Sequence, residues 1–68
     1  MKVYAVIYRH LIHGIYSLDS IFDSYEKAVN HVKSGGYVKE MVGYDGRMSS
    51  FVADNDLDVA DIFEVPVL

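Results

Sequence analysis

Only one stretch of this 68-residue chain carries a helical period, and it is closed at both ends. Tyr25, Ala28, Val29 and Val32 fall at i, i+3, i+4 and i+7, a single apolar stripe. Asp23 can cap the free amides of the first turn, and Glu26 three residues later completes a capping-box spacing. Lys33 suits the negative end of a helix, and Gly35 or Gly36 supplies the left-handed residue that stops it. The spacing predicts a helix over about 24–34. The rest of the fold must be organised around that element.

On either side the pattern changes to runs that fit a pleated surface. Residues 3–9 set Val3, Ala5 and Ile7 on one row and Tyr4, Val6 and Tyr8 on the other. Both rows are apolar, which predicts a central strand covered on both sides. Residues 15–22 have a mostly apolar row (Tyr16, Leu18, Ser20, Phe22) and a half-polar one (Ile15, Ser17, Asp19, Ile21). The short connection at 10–14 predicts an antiparallel pair. After the helix, residues 37–43 form a third strand. Asp45-Gly46 signals a type I′ turn. Residues 48–53 return as a strand weakened by Ser49-Ser50, with a short helix as the alternative. Residues 54–58 are a polar loop, and 59–65 are a last strand. Pro66 lacks a ladder donor and points to a sheet edge. The expectation is a single α+β domain over 1–68, order β-β-α-β-β-β, with a mainly antiparallel sheet and the helix on one face.

A domain this small buries only about 60% of its unfolded surface and often needs a staple. Disulfides are excluded because there is no Cys. That fits a reducing cytoplasm. No apolar run reaches the roughly 20 residues of a membrane span, and the N-terminal residues read as a strand and not as a secretion signal. A partner chain, either a target protein or a second copy in a homodimer, is the remaining staple.

Charge is divided along the chain. Residues 1–47 hold all six cations against five carboxylates, +1. Residues 48–68 hold Asp54, Asp56, Asp58, Asp61 and Glu64 with no Lys or Arg, −5. Such a segment repels nucleic acid and attracts basic surfaces. In an extended chain, alternate carboxylates lie about 7 Å apart on one side, near the phosphate spacing of a nucleic-acid strand. These five residues are therefore the predicted partner-binding set, with Tyr44 and Phe51 adding apolar contact.

Other chemistries have less support. His10 and His13 have an H-x-x-H spacing, but a zinc site needs further N or S ligands and His31 is the only other His. Asp54, Asp56 and Asp58 open like a calcium loop, but Val59 and Val65 occupy its glycine and glutamate positions. Asp19 with His10 or His13 could form an acid–base pair across the first hairpin. There is no Cys nucleophile and no Gly-rich phosphate loop before a helix. No enzyme activity, metal or cofactor is predicted.

The opening Met1-Lys2-Val3-Tyr4-Ala5-Val6 and the segment Ser20-Ile21-Phe22-Asp23-Ser24-Tyr25-Glu26-Lys27-Ala28 resemble a loose group of small phage and prophage proteins. Those chains share an N-terminal hairpin, a short capped helix and an acidic C-terminal part. The resemblance covers roughly the first half and implies a viral accessory protein in a host bacterial cytoplasm. Together these readings give an expected function: a non-enzymatic inhibitor docking on a basic surface of a host nucleic-acid enzyme. Anti-CRISPR or similar counter-defence proteins act in this way, some as DNA mimics. A small structural or self-assembling protein, or an oligomeric small-ligand binder, is the alternative.

Overall fold

The structure is a computed structural model that describes residues 1–42 and 46–67, and of Val42 the backbone alone. Tyr44 and Asp45, predicted as a contact residue and half of a turn, lie outside the described residues. The elements are β1 (Lys2–His10), β2 (Tyr16–Phe22), α1 (Tyr25–Ser34), β3 (Tyr37–Val42), β4 (Arg47–Ala53) and β5 (Asp58–Pro66). The α+β class and the β-β-α-β-β-β order are as expected. The strands form one antiparallel sheet in the order β2-β1-β5-β4-β3.

Helix α1 starts one residue later than its capping signal suggests. Ser24 is the N-cap, and its hydroxyl accepts from the Lys27 amide at 3.2 Å. Asp23 instead takes the Lys27 ammonium at 2.9 Å, a surface i, i+4 pair. At the other end Gly36 takes the left-handed conformation, φ +94°. The stripe behaves as predicted: Ala28 and Val32 are fully buried, with Tyr25 and Val29 beside them.

The stripe packs on one sheet face only. Val6, Ala28, Val32, Phe51, Ala60 and Ile62 make the core, ringed by Tyr4, Tyr8, Phe22 and Tyr37. Tyr8 stacks on Tyr37 at 5.0 Å, and Tyr4 meets Tyr25 edge-on at 6.0 Å. Strand β1 is interior, as expected, but α1 covers only its Tyr4/Val6/Tyr8 row. Cover of the other row is partial: Ala5 there is buried and Val3 and Ile7 are half-buried, but among the described residues no helix lies over it.

One further expectation holds, the strand over 48–53, and one is corrected. Residues 47–53 are strand throughout, since Ser49 and Ser50 are satisfied laterally: Tyr25 Oη lies 2.8 Å from Ser49 Oγ, and Ser50 donates to Asp61. Strand β5 is interior and not an edge. Its pairing with β4 registers only as far as Phe63, while β1 runs beside it to Pro66. Among the described residues, Pro66 therefore has no β4 partner beside it.

Candidate functional site

Register fixes which side chains occupy the sheet face away from α1. Across the middle run Leu18, Ile7, Asp61, Ser50 and Met41; beside them run Ile21, Ala5, Phe63 and Arg47. A register shift between Val6 and Ile7 breaks the alternation of β2. Val6 pairs with Ser20 and Ile7 with Leu18, so Asp19 is the extra residue. The bulge brings Leu18 and Ile21 onto this outer face and leaves Ser20 and Phe22 on the inner one. The predicted row of Tyr16, Leu18, Ser20 and Phe22 is thus split. Leu18 is 61% exposed, Ile21 57% and Met41 45%.

Asp61 lies at the centre of the outer face and is 1% exposed. Arg9 Nε donates to Asp61 Oδ2 at 2.6 Å, and Arg9 Nη2 lies 3.4 Å from Oδ1. Arg47 Nε lies 3.2 Å from Oδ2, and Ser50 Oγ donates to Oδ1. The Arg47 guanidinium also sits 5.9 Å from the Phe63 ring. A carboxylate this buried is tolerable only when ion-paired and hydrogen-bonded, and here two cations and a hydroxyl supply both.

This arrangement removes Asp61 from the five carboxylates expected to face outward. Asp61 is held inside by Arg9 and Arg47. Glu64 pairs with Lys2 at 3.1 Å and Asp56 with Lys39 at 2.7 Å. Both lysine pKa values are held above the usual lysine range by those hydrogen bonds. Asp58 accepts from Asn55 Nδ2 at 2.8 Å, and His10 Nε2 is 3.9 Å away. Asp54 is exposed on the turn before Asn55, and Asp56 sits there in the left-handed region at φ +59°. Antiparallel pairing brings the β1 and β4 cations Lys2, Arg9 and Arg47 to the carboxylates of β5. Phe51, predicted as a contact residue, is 1% exposed and belongs to the core under α1.

Asp19 does not meet His10 or His13, its predicted partners. That residue points to the helix, with His31 Nε2 2.7 Å from its Oδ2 and the Ser20 hydroxyl donating at 2.8 Å. The Ser20 bond, then His31, holds the Asp19 carboxyl below the usual range. A lowered folded pKa adds stability that is complete above the unfolded value, near 3.9, and is lost as pH falls through the folded value. Asp19→Asn should therefore flatten the decline in melting temperature below about pH 4. A pH series of thermal melts checks this. An unchanged acid limb would remove Asp19 from the account.

His10 and His13 stack at 4.6 Å, and His10 Nδ1 accepts from the His13 amide at 3.3 Å. They border a depression of about 270 Å³ with Tyr8, Ile15, Ser17 and Asp58. Among the described residues no Ser, Lys or Cys nucleophile is hydrogen-bonded to either imidazole in it. Among the described residues no three His, Asp or Glu converge to hold a metal. No helix among the described residues is long and apolar enough to cross a membrane.

The residues that sequence reasoning missed are those of the outer face. One signal was present: Asp61 interrupts an apolar row, Val59, Phe63 and Val65, and a charge in such a row needs a cation opposite. No protein-family model, no curated protein and no solved structure matches this chain.

Proposed function

We propose that this protein works by binding another protein, without catalysis, and that its contact surface is the outer face of the sheet. One observation carries the reading: α1 shields a single face, and the opposite face presents Leu18, Ile21 and Met41 around the Arg9–Asp61–Arg47 group. Exposed apolar side chains grouped on one flat surface mark interaction sites, and Arg is enriched among the residues that carry binding energy. A small blocking protein of the phage type, acting in a bacterial cytoplasm against a host nucleic-acid enzyme, needs a surface of this kind and no catalytic group.

A second reading keeps the acidic segment as the contact. Asp54 and Asp56 favour it, since both lie on the exposed turn between β4 and β5 of a chain with net charge −4. Paired variants separate the two. Leu18→Glu/Ile21→Glu and Asp54→Asn/Asp56→Asn/Asp58→Asn each change side chains on or near the surface. In affinity capture from a bacterial lysate, the first should lose the protein retained by the wild type and the second should keep it. The reverse result, with salt-sensitive retention, transfers the function to the carboxylates.

A further inference from the structure

We infer that the outer face is covered by a second copy of this chain, packed sheet to sheet about a two-fold axis. This rests on the reading of that face as a contact surface and names its occupant in the free protein, the copy that a target must displace to bind there.

Dimensions give the first argument. Five strands of six to nine residues span about 24 Å across the sheet and about 20–30 Å along it. One face is thus about 600 Å², and two faces in contact remove about 1,200 Å² from water, the lower bound for a specific stable interface. Sheets pack face to face about 10 Å apart through interdigitating side chains. Leu18, Ile21, Ile7, Phe63, Met41 and Val65 supply such side chains over the breadth of this face.

Charge gives the second. The cations of the face are engaged within it: Arg9 and Arg47 on Asp61, and Lys39 on Asp56. Nucleic acid would require cations turned outward and aromatic rings for stacking. Here the exposed side chains are mostly aliphatic, and the central carboxylate already has its hydrogen bonds. The group can enter an interface between like surfaces with Asp61 still satisfied.

Economy of the core gives the third. The contiguous cluster Val6, Ala28, Val32, Phe51, Ala60 and Ile62 lies on the α1 side, of the described apolar residues only Ala5, Val52 and Val59 are buried on the other, and no disulfide staples a chain of 68 residues. A second sheet on the other face would extend that smaller apolar set and give a four-layer helix–sheet–sheet–helix body. Closed two-fold pairs are the commonest way for a soluble chain to gain that cover.

Analytical ultracentrifugation over micromolar to millimolar protein tests the inference. The wild type should reach twice the 7.7 kDa chain mass. Leu18→Glu/Ile21→Glu should retain the wild-type far-ultraviolet dichroism and associate at least ~100-fold more weakly, because the two-fold axis sets the new carboxylates near their own copies. Met41→Glu, on the opposite edge strand, repeats the test without touching β2. A wild type at 7.7 kDa throughout the range overturns the inference. If the same double variant nevertheless loses the captured host protein, the contact-surface reading survives alone. A dimer that persists in both outer-face variants places the interface elsewhere and also refutes the inference.

Discussion

Asp61→Ala should lower the melting temperature by about 15 °C, an effect of about 3 kcal/mol on a domain of this size. The substitution leaves the Arg9 and Arg47 guanidiniums over the site of the lost carboxylate and strips Ser50 Oγ of its acceptor. Breaking one partner out of a buried ionic group costs about 3–5 kcal/mol, and the lower end applies here. The side chains of Arg9 and Arg47 remain 20% and 16% exposed, so both can turn toward water. Thermal melts of Asp61→Ala beside Asp54→Ala make the comparison. Asp54 lies on the exposed turn, and its replacement should stay within about 0.5 kcal/mol of wild type. A full exchange of Arg9, Asp61 and Arg47 for apolar residues of similar volume should recover most of the loss, because the charges then leave together. Equal melting temperatures for Asp61→Ala and Asp54→Ala would show that the ionic group contributes nothing to folding.

Phe51→Ala should remove about 3–5 kcal/mol of stability, between about a third and all of what a domain this size has. Phe51 is among the largest fully buried side chains and lies between the sheet and α1, with the Lys33 ammonium 5.9 Å from its ring. Truncating a buried Phe costs about 3–5 kcal/mol through lost transfer energy and the cavity left behind. A 68-residue domain has only about 3–10 kcal/mol of total stability. Urea titration followed by circular dichroism gives the measurement, with Phe51→Leu as the milder change. A cooperative transition within about 1 kcal/mol of wild type would mean that Phe51 is not the centre of the core. The result also bears on function: loss of binding in Phe51→Ala would report unfolding and not a lost contact.

The two residues show why part of the candidate site was legible in the sequence and part was not. Phe51 follows Ser49-Ser50 in a run that reads as a weak strand, and nothing local says which face it takes. The face is set by pairing with β5, which places Phe51 opposite Ala60 and Ser49 opposite Ile62. Asp61 looked like one of five hydrated acids because its cations are 52 and 14 positions away. Charge counted along the chain misses pairs made across strands.

What the sequence by itself determined is local. The helical stripe, its stop at Gly35-Gly36, the β-rich runs, the antiparallel first hairpin and the order of elements are all written within a few residues of where they act, because capping, periodicity and turn chemistry are short-range. Tertiary structure alone decided the strand order β2-β1-β5-β4-β3, the burial of Asp61 between Arg9 and Arg47, and the uncovered face. Those depend on which strand lies beside which, and on the bulge at Asp19 that turns Leu18 and Ile21 onto one side. A one-residue change of register moves every later side chain of a strand to the opposite face, and register is a relation between strands.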